Sequence, residues 1–278
     1  MEQGRLGTAR VGVLTIVSDE LLALKAALRT DAEIQGEGYY TDDLANPTVV
    51  LRQSGGRGNT PATTATLDIL EDFRPELVLL AGIAGGIVGR DDVQPGDVVC
   101  AEYLHYSEFK KIVSGRELRR YSAYDQPSVS IINKHMRPAA YAARWQERLE
   151  AQPPVDGFQP KVLFGSIVAG EKLIGDPGHE AHQYVVREYD DALAVDMESF
   201  GFGRGVHEGR GDVDYNPRLA VVRGTSDHVA VRVEEAEDNN EQRRRWRPYA
   251  AAAAGAFAAE VVSRFLAVPD PRPERGAR

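Results

Sequence analysis

The chain has 278 residues, of which 42% are hydrophobic and 27% are charged, and this length suits one large hydrophobic core. Its formal net charge of -9 repels nucleic-acid phosphates and anionic lipid surfaces, so the expected partner is a small molecule. The single cysteine, Cys100, excludes an intrachain disulfide, and no apolar run approaches the roughly 20 residues of a membrane helix, so we expect a soluble cytoplasmic protein.

Short apolar runs rich in β-branched residues alternate with helix-like segments, which predicts an α/β fold whose sheet is covered on both faces. Strands are predicted over residues 11–17, 48–51, 77–81, 97–101, 162–168, 192–195 and 219–223. Helices are predicted over residues 19–28, 60–73, 128–149, 179–188, 199–207 and 246–266.

The two ends of the chain are polar and, at the C-terminus, rich in proline. Residues 10–267 are therefore predicted to form a single domain, with loose termini over residues 1–9 and 268–278. Residues 233–245 are dense in charge and lack a hydrophobic period, which indicates a mobile loop or lid before the last helix.

A glycine-rich segment follows the third predicted strand. Residues 79–87 read LLAGIAGGI, and the missing side chains of Gly82, Gly85 and Gly86 would let the backbone approach a ligand closely. The spacing is not GxGxxG, and the next segment is another strand, so a dinucleotide fingerprint is disfavoured. A plain tight turn is the alternative interpretation.

Acidic residues stand where three predicted strands end: Glu20 after the first, Glu198 after the sixth and Asp227 after the last. Ligands of open α/β sheets bind at this edge, and convergent carboxylates shift each other's pKa values, as acid/base work on a glycosidic bond requires. Two structural alternatives stay open. Glu198 could cap a helix, and Asp227 could be an N-cap with Arg223 as its ion-pair partner.

Other chemistries are disfavoured by the sequence. His179 and His182 are one residue short of the HExxH zinc spacing, and there is no cysteine cluster. The chain has no P-loop and no GxSxG elbow for a serine nucleophile. We therefore expect neither a metal nor another cofactor.

The strand-end motifs, taken in order, resemble the nucleoside phosphorylase and 5'-methylthioadenosine/S-adenosylhomocysteine nucleosidase superfamily. The motifs are residues 11–20, 81–86 with 96–99, 195–198, and 226–227, with Ala-Gly-Glu at 169–171 where that family carries Ser-Gly-Asp. The resemblance spans about residues 11–266. It implies a three-layer α/β/α sandwich with a central mixed, twisted sheet, and a homo-oligomer of two or more copies.

The resemblance also implies residue roles in hydrolysis of a purine N-glycosidic bond. Asp227 would protonate purine N7, Glu198 would hold the ribose hydroxyls, and Glu20 would activate water. Met197 would pack on the sugar, and Leu173 and Ile174 would line the base pocket. Further substrate contacts are expected from Ile83, Gly85 and Ser226.

Two departures from the family pattern bear on the reaction. Phosphorylases of the superfamily place an arginine before the glycines, whereas apolar residues 78–81 precede Gly82 here, which favours water over phosphate as the nucleophile. The related methylthioadenosine enzymes usually carry a serine at Ile83 and an aromatic residue at Leu173, so the 5' substituent stays open. A phosphorylase and a non-catalytic nucleotide-binding module are the alternatives.

A second resemblance concerns the 5' substituent. Residues 82–86, 106–120, 170–172 and 246–251 look like the nucleosidase effector branch of bacterial defence and signalling proteins, whose members can act on phosphorylated adenosine. Basic side chains would then pair with a 5'-phosphate. The candidates are Arg57, Lys110, Lys111, Arg119, Arg120 and Lys172. The alternative for the basic cluster within residues 110–120 is an ordinary solvated face.

Overall fold

The structure is a computed structural model that describes residues 5–87, 89–120, 126–142, 144–172, 179–210, 214–229 and 239–269. A nine-stranded sheet runs through the described part of the chain in the order β10-β9-β6-β11-β5-β1-β4-β3-β2. Its strands are β1 Val11–Thr15, β2 Ala32–Ile34, β3 Tyr39–Thr41, β4 Val49–Gln53, β5 Leu77–Ile87, β6 Val98–Tyr106, β9 Val162–Ala169, β10 Ala192–Asp196 and β11 Arg218–Val229. A separate hairpin pairs β7 Lys110–Val113 with β8 Arg116–Arg119.

Helices cover both faces of the sheet. They are α1 Ser18–Leu28, α2 Asn59–Phe73, α3 Val129–Ile131, α4 Arg137–Ala142, α5 Arg144–Glu147, α6 Glu180–Glu188, α7 Ser199–Glu208 and α8 Asn239–Leu266. One core cluster joins the sheet to α1 and α8, and another joins its opposite face to α2 and α7. The central strands are therefore buried on both sides, which explains why they are continuously apolar in sequence.

Strand directions make the sheet mixed, as the resemblance implies. Strands β4, β1, β5 and β11 run parallel, β6 is antiparallel to β11, and β6, β9 and β10 are parallel to each other. The sheet also curls, because β10 pairs with β5 as well as with β9 and sets Val195 opposite Gly85. This second pairing brings the ends of β5, β10 and β11 to one place.

The alternative interpretation of the glycine-rich segment as a tight turn is wrong, and the strand predicted to end at Ala81 is longer. Strand β5 continues through Gly82, Gly85 and Gly86 to Ile87. Close neighbours explain the glycines, because a Cβ on Gly85 would lie 2.6 Å from a methyl of Val229. The segment is a crowded strand between β10 and β11, and the missing side chains make room for both.

Three further predictions need correction. The helix predicted over residues 128–149 is interrupted, since a π-helical turn, Ile132–Met136, separates α3 from α4. Residues 239–245 of the predicted loop belong to α8, whose first turns are rich in good helix formers, Gln and Arg, and residues 233–238 lie outside the described residues. The N-terminus is partly held, since the amides of Gly7 and Ala9 bond to carbonyls at the end of α2.

One described helix, Asn240–Leu266, is long and apolar enough to cross a membrane by length and composition alone. Within the protein 78% of its apolar window is buried, and it supplies much of the core beside β5 and β11. Small alanine side chains let it approach the sheet closely, so the helix belongs to the core of the protein.

Candidate active site

Two adjoining cavities form one cleft at the ends of β5, β10 and β11. The first measures about 770 Å³ and the second about 860 Å³, and both volumes include space that is open to solvent. Both are lined by Gly85, Val195, Asp196, Met197, Asp227 and Arg243. Because these residues form the wall common to both cavities, a ligand can extend from one into the other.

A buried guanidinium lies beneath the second cavity. Arg223 is 0% exposed on β11, and its Nη2 lies 2.7 Å from Asp196 Oδ2 and 3.3 Å from Glu198 Oε2. Burial opposes the charge, but Asp196, Glu198 and Glu20 outweigh it and raise the pKa of the Arg223 guanidinium. Arg223 is therefore the positive charge around which Asp196, Glu198 and Glu20 gather. The alternative that pairs Arg223 with Asp227 is wrong.

Glu198 is held from two sides. Its Oε1 accepts a hydrogen bond of 3.0 Å from the Gly58 amide before α2, and its Oε2 faces Arg223. Burial raises the pKa of the Glu198 carboxyl, Arg223 opposes that rise, and the charges of Asp196 and Glu20 add to it. Glu198 occupies the N-cap position of α7, yet its side chain makes no cap hydrogen bond. The capping role belongs to Asp196, which accepts from the amide and hydroxyl of Ser199.

Glu20 is buried and bound by backbone amides. Its Oε2 accepts from Ile16 at 2.7 Å and from Val17 at 3.0 Å, and its Oε1 accepts from Ile83 at 2.8 Å. A Cβ on Gly82 would lie 2.4 Å from Glu20 Oε1, so glycine is required for this carboxylate to reach β5. Glu20 thereby fixes the end of β1 against β5.

Asp227 is 2% exposed and has all its described partners on β11 and α8. The Ser226 hydroxyl donates to Oδ1 at 2.5 Å. Arg243, in the first turns of α8, donates from Nε to Oδ1 at 3.1 Å and from Nη2 to Oδ2 at 2.8 Å. Asp227 is thus an ion-paired carboxylate at the wall common to both cavities.

The two cavities differ in chemistry. Beyond the common wall, the first is lined by three valines, Val168, Val185 and Val229, and by four charged or titratable side chains, Glu108, Lys110, Lys172 and His182. The valines can contact the faces of a flat, apolar group. Acids and bases dominate the second, namely Glu20, Glu198, Arg57 and Arg247, with Ile83 and Ser226 also lining it. Because the family resemblance predicts a purine nucleoside, we call the first the base side and the second the sugar side of the cleft.

The structure brings together most of the predicted site residues. Glu20, Glu198, Asp227, Met197, Ile83, Gly85, Ser226 and Arg57 all line the cleft. Lys172 lies on the base side, where its Nζ bonds to Glu108 at 2.7 Å and most of its side chain is exposed. Leu173 and Ile174 lie outside the described residues.

Arg119 is not brought to the cleft. Its guanidinium lies 2.9 Å from His105 Nδ1 and stacks over the ring of Tyr189, 4.3 Å from the centroid. Together with Arg120 it lines a different cavity, between the end of β6 and Phe200. The predicted contact of Arg119 with a substrate phosphate is therefore not supported by its position.

Sequence reasoning missed two arginines of the sugar side, Arg243 and Arg247. Both fall in or beside the stretch interpreted as a loop, so nothing in the local pattern tied them to a strand end. Arg247 Nε lies 2.8 Å from Asp19 Oδ2, directly beside Glu20 in sequence. An arginine spaced four residues from another on one helix is the signal that could have indicated a common face.

Metal ligation has no visible basis in the part of the chain that the structure describes, where no group of three His, Cys, Asp or Glu side chains could hold an ion. His179 instead caps α6, because its Nδ1 accepts from the Ala181 amide at 3.2 Å. The chemistry available in the cleft is that of carboxylates, guanidiniums and backbone amides.

Comparison with known proteins gives consistent results. Residues 10–263 match the family model described as "Phosphorylase superfamily". A 5'-methylthioadenosine/S-adenosylhomocysteine nucleosidase of Shewanella sp. (strain W3-18-1) is 25% identical over 222 residues, which cover 79% of this chain and 86% of that protein. Among solved structures, such a nucleosidase from Colwellia psychrerythraea 34H in complex with adenine has a TM-score of 0.69 at 20% identity, covering 94% of this chain and 97% of that chain. Futalosine hydrolase of Helicobacter pylori strain 26695 has a TM-score of 0.68 at 18% identity, with coverages of 92% and 97%.

Replacing the buried guanidinium should be costly in a pH-dependent way. Arg223→Met leaves Asp196 and Glu198 buried without a counter-charge, so we expect a loss of roughly 3–5 kcal/mol in the free energy of unfolding near neutral pH. The pKa of Glu198 is already raised, and removal of Arg223 raises it further. An acid whose pKa is raised by folding favours the folded state at low pH, so the loss should shrink as the pH falls.

Urea unfolding at about pH 7.5 and about pH 5 measures this difference. Arg204→Met is the control, because Arg204 makes an exposed pair with Glu208 on α7 and should cost at most about 0.5 kcal/mol. An equal loss at both pH values for Arg223→Met would contradict the account of the buried charges.

Proposed function

The chain belongs to the phosphorylase superfamily, and from that membership and the cleft we propose that it is a purine nucleosidase, which hydrolyses the N-glycosidic bond of an adenosine-type nucleoside or nucleotide. One observation carries the proposal. Glu20, Glu198 and Asp227 come from three distant segments and line one cleft at the ends of the strands. Hydrolysis of this bond passes through an oxocarbenium-like sugar and releases a basic leaving group, so it needs both negative charge and an acid.

Asp227 is the proposed acid. It stands at the wall between the two sides of the cleft, so a purine packed against the valines of the base side would present an edge to its Oδ2. Proton transfer to N7 of the purine neutralises the leaving base as the bond to the sugar breaks. The Ser226 hydroxyl, which donates to Oδ1, fixes the orientation of the carboxyl group.

Glu198 and Met197 are the proposed sugar contacts. The Gly58 amide and Arg223 fix the Glu198 carboxylate, so it can accept hydrogen bonds from ribose hydroxyls without reorganising. Its negative charge also stabilises the positive charge that develops on the sugar ring. Met197 lies on the wall common to both sides, where its thioether can pack on the ribose.

Glu20 is the proposed base for water. A carboxylate has about four acceptor sites, and the described backbone amides of Ile16, Val17 and Ile83 use three of them. The remaining site can accept a hydrogen bond from a water on the sugar side. The amides hold the carboxylate still, which favours attack of that water on the anomeric carbon.

The relatives support a hydrolase over a phosphorylase. The Shewanella and Helicobacter proteins are named as nucleosidase and hydrolase, and the Colwellia protein is in complex with adenine. In this chain the part of β5 that precedes Gly82 is buried and apolar, and it offers no arginine for inorganic phosphate at that point. A phosphorylase remains the second candidate, and dependence of base release on phosphate separates the two.

The 5' substituent is proposed to be a phosphate. Three guanidiniums line the sugar side, those of Arg57, Arg243 and Arg247. Guanidinium groups match phosphate oxygens in charge and in bidentate geometry. This set replaces the basic residues proposed from sequence, of which Arg57 alone lies on the sugar side.

A homo-oligomer is proposed from the hairpin β7–β8, which exposes Ile112 and Leu118 by 71% and 48%. Apolar side chains on a projecting hairpin favour contact with another copy of the chain. Light scattering should give a mass of at least two chains, and Ile112→Glu should lower it. A monomeric wild-type protein would contradict this part of the proposal.

The central test is release of adenine, followed by chromatography, from adenosine, methylthioadenosine, S-adenosylhomocysteine, AMP and ATP, with and without inorganic phosphate. We expect release without phosphate. Asp227→Asn should lower the rate by at least about 100-fold, since the amide cannot donate a carboxyl proton. Asp68→Asn, at a surface pair on α2, is the control and should retain the wild-type rate.

Each other outcome has a meaning. Release that requires phosphate would establish the phosphorylase. Binding of a nucleotide with no release after prolonged incubation would favour a non-catalytic nucleotide-binding module and sink the proposed hydrolase.

A second experiment tests the 5'-phosphate. Arg57→Gln should raise KM for AMP by about 10-fold to 100-fold, the usual worth of a charge-assisted hydrogen bond, and leave KM for adenosine unchanged. Arg119→Gln, outside the cleft, is the matched control and should change neither value. An Arg57→Gln variant that treats both substrates like the wild-type protein would argue against the phosphate subsite.

A further inference from the structure

The first turns of α8 are bound to the end of β11 by two consecutive residues. Arg243 makes its two hydrogen bonds to Asp227, and Gln242 accepts a hydrogen bond of 2.6 Å from the backbone amide of His228. Arg243 is the more exposed member of its ion pair, with 27% of its side chain exposed against 2% for Asp227. The arginine can therefore leave the pair through the cleft, whereas the aspartate cannot.

This ion pair conflicts with the proposed chemistry. A general acid must carry a proton before it can donate one, and a guanidinium bonded to both oxygens of a carboxyl group favours the ionised form. An aspartate that is buried without a counter-charge favours the neutral form instead, because desolvation penalises the charge. Asp227 can therefore act as the proposed acid only after Arg243 has moved away.

We propose that Arg243 exchanges partners when a substrate binds: it releases Asp227 and pairs with the 5'-phosphate, and the exchange loads the acid with its proton. The inference rests on the proposed function and adds an order of events to it. Arg243 lines both cavities, so its guanidinium needs only to turn from the common wall toward the sugar side. The phosphate is remote from the bond that breaks, and it promotes proton transfer by drawing Arg243 away from Asp227.

The protons balance over the steps of the proposed reaction. Binding of the phosphate draws Arg243 from Asp227, and the isolated carboxylate takes one proton from solvent. The bond between C1' and N9 then breaks with its electron pair on the base, and the Asp227 proton goes to N7. Water adds to C1' and its proton goes to Glu20. After release of the products, Glu20 returns that proton to solvent and Arg243 re-forms its pair with Asp227.

Other charged groups face the same cleft and would respond to the same ligand. They are Glu20 on α1, Asp196 and Glu198 between β10 and α7, Arg57 before α2, Arg223 on β11, Arg247 on α8, and Glu108, Lys110, Lys172 and His182 on the base side. The test must therefore assign the proton to Asp227 by substitution and not by pH dependence alone.

Calorimetry measures the exchange without turnover. The ligand is 7-deaza-AMP, in which carbon replaces N7, so that the acid has no atom to protonate and the glycosidic bond persists. Titrations near pH 7.5, where a phosphate monoester is already mostly a dianion and releases few protons on binding, are made in buffers of different ionisation enthalpy and give the number of protons taken up. We expect close to one proton per site for the wild-type protein, and close to none for 7-deazaadenosine, for Arg243→Met and for Asp227→Asn.

Turnover supplies an independent measurement. Arg243→Met removes both the ion pair of Asp227 and the proposed phosphate contact, so hydrolysis of adenosine should fall far less than hydrolysis of AMP. Hydrolysis of AMP should lose about 10-fold to 100-fold in kcat/KM. Arg244→Met is the matched control, because Arg244 is exposed on the same turn and bonds only to the Asn240 carbonyl among the described partners. It should behave like the wild-type protein.

The results separate the two proposals. If the wild-type protein binds 7-deaza-AMP with uptake of a proton that Arg243→Met abolishes, the exchange stands even where no base is released and the nucleosidase proposal fails. If base is released but binding takes up no proton, or if Arg243→Met slows adenosine and AMP equally, Arg243 assists Asp227 in place and the exchange is overturned.

Discussion

The buried guanidinium of Arg223 is the interaction on which the cleft depends. A fully buried positive charge is tolerated only with counter-charges, and these come from Asp196 and Glu198 at the end of β10. The pairing ties β11 to the β10–α7 junction, on the far side of β5. Because the same junction carries Glu198, the charge that stabilises the sheet edge also fixes the proposed sugar contact in place.

Backbone amides also hold the carboxylates of the cleft in place. Gly58 donates to Glu198, and Ile83 donates to Glu20 from within β5, which requires the absence of a side chain at Gly82. Amides of regular elements move little, so both carboxylates are set before a ligand arrives. Asp227 is the exception, since its principal partner is the side chain of Arg243, partly exposed and on a different element. The residue proposed as the general acid is thus the one whose partner can move.

The sequence predicted the sheet and its acids because both leave local signals. Parallel strands buried on two faces are continuously apolar, and residues that follow them meet at one edge, so Glu20, Glu198 and Asp227 could be placed together before the structure was known. The second pairing of β10 with β5 depends on contacts between residues that are far apart in sequence. The same is true of the continuation of β5 through its glycines. Arg243 and Arg247 lie in a polar segment without hydrophobic period, where helix and loop look alike.

The charges around the sugar side explain why a phosphate should matter to the acid. Among the described residues, the carboxylates of Glu20, Asp196, Glu198, Asp227 and Asp19, the partner of Arg247, meet the guanidiniums of Arg57, Arg223, Arg243 and Arg247. Five carboxylates therefore meet four guanidiniums. A nucleotide would add negative charge to this partly buried set, and the repulsion would fall if one carboxylate became protonated. Glu20 keeps its amides and Glu198 keeps both Gly58 and Arg223, so in the proposed exchange the proton goes to Asp227, whose arginine has turned to the phosphate.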